Sequence, residues 1–410
     1  MQEERAEIAE TPPATSEIPT PERSQAEIWP FYADDEIDAA AAVLRSGKVN
    51  QWTGDRVRTF QRKLADYCGV KYAIALANGS LALELALLTL GIGAGDEVIV
   101  TSRSFIASAS CVDLVGAKPI FADVDPASQN ITAATITPLI TPRTRAIIPV
   151  HLAGWPCDMQ PILDLAQRHK LFVIEDCAQS IGATIDGRKV GSFGHAGVFS
   201  FCQDKIITTG GEGGALLLND EPMWRFAWSY KDHGKDWDKA NAPSDGAKYR
   251  WLHARIGTNW RMTEMQAAIG ILQMTKLDGW LRQRNALARA WIEGLRPLDC
   301  LEIPLPAANV EHAWYKFYAF VKPERLAAGI DRDALLTLLT DNGVRAFFGS
   351  CPEIYQEAAY SHLQHERLSV ARRLGETSLM FEVHPTLHLE TVRKAARRVV
   401  ELVKPLQIVR

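Results

Sequence analysis

Short apolar segments alternate with helix-length amphipathic segments along the first half of the chain. Runs rich in Val, Ile, Leu, Ala and Phe predict strands at 71–76, 96–101, 118–122, 145–150, 171–175, 197–201 and 214–218. Helices are predicted between the earlier strands, at 79–90, 105–115 and 158–169. Apolar strands joined through helices are typical of a mostly parallel sheet that helices cover on both faces. The fold class is therefore α/β, and the closely spaced last two strands favour one antiparallel member.

Helical periodicity also precedes and follows the predicted sheet. Asp34 or Asp35 is expected to cap a helix that ends near Leu44, and a second helix over 53–67 should stop at Gly69. A long helix is predicted from Thr263 to about Trp291. The remainder contains a strand at 315–321 and helices at 331–342 and 388–405.

A chain of 410 residues exceeds what one hydrophobic core usually serves, so two domains are expected. Residues 29–275 form the predicted large domain, and 276–410 comprise a long connecting helix and a smaller C-terminal α/β domain. Residues 1–28 are rich in Glu, Pro, Ser and Thr, which is typical of a disordered tail.

Composition and charge exclude several classes of function. A formal net charge of -4 gives no global attraction to nucleic acid or to an anionic membrane surface. The longest apolar stretch, 81–92, carries Glu84 and is too short to span a bilayer. The seven scattered cysteines include no CxxC pair, so neither a disulfide framework nor a metal site is expected, and a cytoplasmic location fits best.

The strongest chemical signal is Lys205 with an acid, Asp176, 29 residues before it. A lysine amine condenses with an aldehyde, and a carboxylate can pair with a pyridinium nitrogen. These are the two protein groups that pyridoxal phosphate needs. Glycines and hydroxyl residues around Lys205 allow close backbone approach to a phosphate.

The predicted sheet places these groups at one edge, because ligands of open parallel sheets bind at the carboxyl ends of the strands. Five positions lie at this edge: Gly79-Ser80, Phe105 and Asp176 follow predicted strands, Ser200 lies near the end of the strand 197–201, and Lys205 lies in the loop after it. Each has an ordinary alternative. Gly79-Ser80 could be a simple helix start, Phe105 a core residue, and Asp176 a helix cap or a partner of an arginine. Their convergence favours a cofactor site.

A set of motifs in fixed order adds to this interpretation. It comprises Asn78-Gly-Ser-Leu-Ala-Leu83, Gly95-Asp-Glu-Val-Ile-Val100, Ala146-Ile-Ile-Pro-Val-His151, Glu175-Asp-Cys-Ala-Gln179, Ser200-Phe201, Lys205, Gly211-Glu-Gly-Gly214, Asn259-Trp-Arg-Met-Thr-Glu264 and His384-Pro385. Over about residues 30–400 the chain resembles the DegT-like nucleotide-sugar aminotransferases, a branch of the fold-type-I pyridoxal-phosphate enzymes.

The resemblance implies a large domain with a mostly parallel seven-stranded sheet and assigns roles to individual residues. Lys205 would form a Schiff base with the cofactor, and Asp176 would pair with its ring nitrogen. Further contacts would come from Gln179 to the ring hydroxyl, Phe105 to the ring face, Gly79, Ser80 and Ser200 to the phosphate, and Asn259 to a neighbouring subunit's phosphate in a homodimer. The chain departs from the family at Ser80, where threonine is commoner, and at Arg103-Ser104, where an aromatic-threonine pair is usual.

The function that follows is transamination by a ping-pong mechanism. An amino acid, expected to be glutamate, would donate nitrogen to a keto group of a nucleotide-linked sugar used in polysaccharide, including lipopolysaccharide, or secondary-metabolite synthesis. Arg261 could bind the donor carboxylate or the sugar diphosphate, or could form a structural ion pair. His384 could line the site or simply occupy a turn. The alternatives are a sugar dehydratase, a branch in which histidine replaces the lysine, another pyridoxal-phosphate chemistry, and a non-catalytic regulator.

Overall fold

The computed structural model describes residues 27–243, 249–363 and 365–408. All seven strands that were predicted for the large sheet are present in it. Each lies within two residues of its predicted bounds. The strands are β1 (Tyr72–Leu76), β2 (Glu97–Thr101), β3 (Lys118–Ala122), β4 (Thr144–Ile148), β5 (Phe172–Asp176), β6 (Thr184–Ile185), β7 (Arg188–Lys189), β8 (Ala196–Ser200), β9 (Gly214–Leu218), β10 (Leu301–Glu302), β11 (Val310–Glu311), β12 (Phe317–Val321), β13 (Ala346–Phe347) and β14 (Ser378–Phe381).

The helices also follow the predicted periodicity. They are α1 (Asp34–Ser46), α2 (Arg56–Cys68), α3 (Gly79–Thr89), α4 (Ala107–Leu114), α5 (Ala133–Ile136), α6 (Met159–His169), α7 (Glu221–Tyr230), α8 (Trp237–Asn241), α9 (Glu264–Leu295), α10 (Arg332–Asp341), α11 (Ser369–Thr377) and α12 (Leu389–Val403). The prediction that Asp34 or Asp35 caps α1 is wrong. Ala33 is the capping position, and Glu36 accepts its backbone N–H at 2.6 Å from within the first turn. Gly69 ends α2 in a left-handed conformation, as predicted.

The central sheet has the strand order β1-β9-β8-β5-β4-β2-β3. β9 is antiparallel to both of its neighbours, and the remaining pairs are parallel. The expected antiparallel member is therefore β9. The other six strands run in one direction, so their carboxyl ends share one edge.

Helices bury both faces of this sheet, and successive residues of a strand therefore enter different cores. In β1, Ile74 and Leu76 pack in a cluster with residues of α3, whereas Ala73 and Ala75 pack in a cluster with residues of α2. The strands are consequently apolar throughout instead of alternating with polar residues, which is how the sequence pattern revealed them.

A second, antiparallel sheet has the order β10-β12-β14-β13 and packs with α10 and α12. Helix α9 links the two regions, because Leu277 packs in a core of the large sheet and Trp291 packs in the core of the small one. The predicted division between residues 275 and 276 falls inside α9 and stays a prediction. The predicted disordered tail lies, apart from residues 27 and 28, outside the described residues.

The buried Glu175 fixes the chain just before β8. Its carboxylate accepts backbone N–H groups of Gly191, Phe193 and Gly194 at 2.7 to 2.8 Å. It also lies 3.2 Å from Nε2 of the buried His151, whose Nδ1 accepts a backbone N–H at 2.9 Å. The proton of this imidazole is therefore on Nε2, which faces Glu175. His151, Glu175 and Cys177 are close enough to share a metal ion, but both ring nitrogens of His151 are already hydrogen-bonded.

We expect Glu175→Ala to lower the free energy of unfolding by at least about 3 kcal/mol, because it leaves three N–H groups without their acceptor. Glu302→Ala, at an exposed glutamate of β10, should change it by less than about 0.5 kcal/mol. Urea denaturation of both variants provides the measurement. Equal stability of the two variants would contradict this role of Glu175.

Candidate active site

Lys205 lies in the loop between β8 and β9, where three groups hold it. Its carbonyl oxygen accepts a hydrogen bond from Nε1 of Trp29 at 2.9 Å. Its Nζ lies 3.9 Å from Oδ1 of Asp204 and 4.9 Å from the centroid of the Tyr315 ring. The Tyr315 hydroxyl donates to Asp204. Burial raises the pKa of Asp204, but Lys205 and the Tyr315 hydroxyl outweigh it, and the pKa lies below its ordinary value.

Asp176 is the last residue of β5, and its carboxylate is buried at the shared carboxyl edge. The hydroxyl of Ser108 donates to it at 2.8 Å, and the backbone N–H of Ala178 donates at 3.1 Å. Burial raises the pKa of Asp176, and these hydrogen bonds and Lys205 only partly offset that effect. A further positive partner would stabilise the carboxylate, and a protonated pyridine nitrogen fits that need.

Gly79 and Ser200 meet where α3 begins. The Asn78 side chain caps this helix by accepting the N–H of Leu81 at 3.0 Å. A Cβ on Gly79 would lie 2.7 Å from the Ser200 Cβ, so only glycine allows this approach. Free N–H groups at the start of an eleven-residue helix, beside a serine hydroxyl, suit a phosphate. Ser80 lies on the same turn and is exposed.

Phe105 and Gln179 differ in their exposure to solvent: Phe105 is exposed and Gln179 is buried. The Phe105 side chain, between β2 and α4, is 66 % exposed, so it is not the core residue that the alternative required. Gln179 is buried, and its carbonyl oxygen accepts the N–H of Ala153 at 2.8 Å, which leaves its NH₂ as a donor. Their predicted contacts with the cofactor ring stay predictions.

Asn259 and Arg261 belong to a segment that lies against the end of β1. The N–H of Ala77 donates to the carbonyl of Trp260 at 3.0 Å, and the Asn259 side chain is exposed. Arg261 forms an ion pair of 2.7 Å with the buried Asp232. This contact is the ion pair that the structural alternative proposed, and the substrate role of Arg261 stays a prediction.

Asp232 is the centre of a buried polar network. Besides Arg261 it accepts hydrogen bonds from Gln51 at 2.6 Å and Lys235 at 3.1 Å. The neighbouring Lys231 is also buried, and its ammonium donates to the Gln51 carbonyl oxygen at 2.8 Å. Burial lowers the pKa of Lys231 to about 7, although Asp232 acts in the opposite direction.

His384 follows β14 and is 5 % exposed. Its Nδ1 lies 2.8 Å from the Thr386 hydroxyl, and its Nε2 lies 3.8 Å from a carboxylate oxygen of Glu382. Burial lowers the pKa of His384, with Glu382 opposing, so the neutral form dominates near neutral pH. The backbone carbonyl of His384 accepts the N–H of Leu387, so His384 occupies a turn. Its predicted role in lining the site stays a prediction.

Sequence reasoning missed several groups around Lys205 and Asp176, namely Trp29, Ser108, Asp204, Tyr315 and Lys316. Ser108 had a recoverable signal, because it lies one helical turn beyond Ser104 in the segment after β2. Asp204 directly precedes Lys205 and was overlooked although it was in view. Trp29, Tyr315 and Lys316 reach the site through long-range packing, which no local pattern records.

Residues 31–403 match the DegT/DnrJ/EryC1/StrS aminotransferase family. The chain belongs to this family. It is 40 % identical over 331 residues to GDP-perosamine synthase of Caulobacter vibrioides, a match covering 80 % of this chain and 85 % of that protein. It is 38 % identical over 344 residues to a UDP-N-acetyl-3-dehydro-alpha-D-glucosamine 3-aminotransferase of Acidithiobacillus ferrooxidans, covering 84 % and 87 %.

A solved structure of an aminotransferase from Psychrobacter cryohalolentis superimposes with a TM-score of 0.91 at 46 % identity, covering 92 % of this chain and 99 % of that one. The predictions of a fold-type-I architecture, of pyridoxal phosphate as cofactor and of an aminotransferase are thus confirmed. The roles of individual residues stay predictions. Across the described ranges, every helix is too short or too polar to cross a membrane.

The pKa of Lys231 predicts how stability depends on pH. Its folded-state pKa of about 7 lies below the ordinary value of 10.5, so the unfolded chain binds more protons between these values. Stability should therefore rise from about pH 7 to about pH 10 through this group. We expect Lys231→Met to lose that part of the rise, measured by urea denaturation across this range. Lys63→Met, at an exposed lysine of α2, should retain it. The same pH dependence in both variants would contradict the prediction.

Proposed function

We propose that this protein transfers an amino group from L-glutamate to a keto group of a nucleotide-linked sugar. The observation that carries the proposal is the convergence of Lys205, Asp176 and the Gly79–Ser200 contact at one edge of the sheet. The names of the two sequence relatives, one a GDP-sugar and one a UDP-sugar enzyme, support the acceptor class.

The residues at this edge fit pyridoxal phosphate. Asp176 would pair with the ring nitrogen, Gln179 with the ring hydroxyl, and Phe105 with the ring face. Gly79, Ser80 and Ser200 would hold the phosphate. When bound, the cofactor supplies an aldehyde that accepts nitrogen and a ring that withdraws electrons from the reacting carbon.

Lys205 has two tasks in this reaction. At rest its amine holds the cofactor. When the donor's amino group takes its place, Nζ would be free to accept the proton from Cα of glutamate, and in the second half of the reaction it would donate a proton to the sugar carbon that receives nitrogen. Asp204 and Tyr315 keep that amine in place, because one pairs with it and the other lies beneath it. Asp176 stabilises the protonated ring nitrogen by its negative charge.

The other candidate functions have less support. A sugar dehydratase of this fold carries histidine at the position of Lys205. A regulator would have no need for both Lys205 and Asp176. Loss of the visible absorption of the bound cofactor on addition of glutamate separates an enzyme from a regulator.

We also propose a homodimer with shared sites. Asn259 is exposed next to the end of β1, and the nearby side chains of Trp251 and Ile256 are 81 % and 92 % exposed. Trp224, Trp228 and Trp237, in contrast, pack against one another within the chain. A second copy would cover the exposed pair and bring Asn259 to the partner's phosphate. We place the reaction in the cytoplasm, with a product that enters polysaccharide synthesis such as that of lipopolysaccharide.

Assay in the reverse direction tests the proposed reaction. Purified holoenzyme is incubated with a panel of UDP-, GDP- and dTDP-aminosugars and 2-oxoglutarate, and glutamate is quantified. At least one aminosugar nucleotide should yield glutamate. If free amino acids react and no nucleotide sugar does, the acceptor assignment is wrong.

We expect Lys205→Ala to abolish turnover while the cofactor still binds without a covalent bond, since the phosphate contacts and Asp176 remain. Asp176→Asn should lower kcat by several orders of magnitude, because the ring nitrogen loses its charged partner. Asp341→Asn, exposed on α10, is the matched control and should behave as wild type. Steady-state rates and absorption spectra provide the measurements, and normal turnover in Lys205→Ala would refute its role.

Complementation tests the shared site. Asn259→Asp places a carboxylate against the partner's phosphate, so this variant and Lys205→Ala should each be inactive as homodimers. In mixed dimers one of the two sites regains both wild-type residues. Subunit exchange between equal amounts should therefore restore about one quarter of wild-type activity. Verified mixed dimers without activity, or an active monomer, would rule out the shared site.

A further inference from the structure

Lys316 is a second lysine next to the reacting one. It directly precedes β12, and its Nζ lies 5.1 Å from the centroid of the Tyr315 ring. Nζ of Lys205 lies 4.9 Å from the same centroid. Because these two distances add to 10.0 Å, the two ammonium nitrogens are at most that far apart.

The ammonium of Lys316 forms no ion pair among the residues that the structure describes, although Glu382 and Asp204 act on it from a longer distance. These two carboxylates are both engaged elsewhere. Glu382 forms an ion pair of 2.7 Å with Arg345. Asp204 accepts the Tyr315 hydroxyl and lies 3.9 Å from Lys205. The positive charge of Lys316 is therefore not neutralised by an ion pair of its own.

The surrounding charges do not neutralise the positive charge of Lys316 either. Asp204 pairs with Lys205 and Glu382 pairs with Arg345, so Lys316 and the buried Arg284 are the two cations of this group that form no ion pair within the described residues. Burial lowers the pKa of Lys316, and the positive charges of Arg284 and Lys205 act in the same direction. A ligand with one or two negative charges would therefore be attracted to this position.

The enclosed space behind Lys316 does not hold such a ligand. Lys316 contributes to a cavity of about 20 Å³ that Gln129, His312 and Tyr318 also line. That volume is enough for about one water molecule. Lys316 is only partly buried, so part of its side chain remains accessible to a ligand outside this cavity.

We propose that Lys316 binds an oxyanion of the substrate beside Lys205. The assignment rests on the proposed function, because both substrates of that reaction carry oxyanions: the amino donor a carboxylate, and the acceptor a diphosphate. A lysine contacts either as a point charge. The proposal adds a substrate-binding residue, at the start of a strand of the small sheet, to a cofactor site built on the large one.

Equilibrium binding distinguishes whether Lys316 binds the carboxylate of the amino donor or the diphosphate of the acceptor. Holoenzyme is titrated calorimetrically with 2-oxoglutarate, a dicarboxylate, and separately with UDP and GDP. Lys316→Met should raise the Kd of one class of probe by about 10- to 100-fold, the effect of losing one charge-assisted hydrogen bond. Lys316→Arg should retain much of the affinity. Lys322→Met, just beyond the other end of β12, should bind as wild type.

Weaker binding of 2-oxoglutarate alone assigns Lys316 to the amino donor, and weaker binding of the nucleotides alone assigns it to the acceptor. Both results support the proposal. Kd values within about twofold of wild type for all probes would overturn it, as would a wild-type protein that binds none of them. Should the aminosugar panel fail while Lys316→Met still weakens probe binding, the reaction is misassigned and the oxyanion site stands.

A measurement on the wild-type protein covers the case in which Lys316→Met does not fold. Acetic anhydride labels lysine amines, and mass spectrometry follows Lys316 and Lys322 separately. A bound probe should slow acetylation of Lys316 and leave Lys322 unchanged. Equal rates at Lys316 with and without saturating probe would overturn the proposal.

Discussion

The common direction of six strands is the constraint on which the site depends. Because β1, β5 and β8 end at the same edge, residues more than one hundred positions apart in sequence become neighbours. The contact of Gly79 with Ser200 and the approach of Lys205 to Asp176 both follow from it. β9 turns back against β8 immediately after the Lys205 loop, and this antiparallel return ties both ends of the loop to the sheet.

Burial at this edge decides the electrostatics. Asp176 is buried, whereas the Asp204 side chain is 50 % exposed, and their pKa values move in opposite directions. Asp204 has Lys205 beside it and a phenol hydroxyl donating to it, whereas Asp176 has a serine and a backbone N–H. One carboxylate is therefore already compensated within the chain, and the other is suited to a cationic ring.

The sequence predicted the large sheet well because its strands are buried on both faces, are therefore apolar throughout, and are separated by segments of helical length. Asp176, Ser200 and Lys205 could be found because the first two lie at the ends of recognisable strands and the third lies in the loop that follows one of them. The cap of α1 was misread, since Glu36 acts from inside the first turn while two acids precede it. Arg261 was ambiguous because its partner, Asp232, lies 29 residues earlier in a segment without a regular pattern. Tyr315 and Lys316 reach Lys205 only through the packing of the second sheet, which the order of residues does not encode.

Helix α9 has a mechanical consequence. Its 32 residues extend about 48 Å at the usual rise of an α-helix, and the two ends are anchored in different cores. Because α9 is one continuous helix, it provides no flexible hinge between the large sheet and the small sheet. Lys316 and His384 are carried by that sheet, and the backbone N–H groups of Tyr315 and Lys316 also donate to the carbonyl of Ala153 in the large domain. Helix α9 and these hydrogen bonds together hold Lys316 near Lys205. Entry and exit of a large sugar nucleotide would then rely on side-chain and loop movement, with little contribution from a hinge.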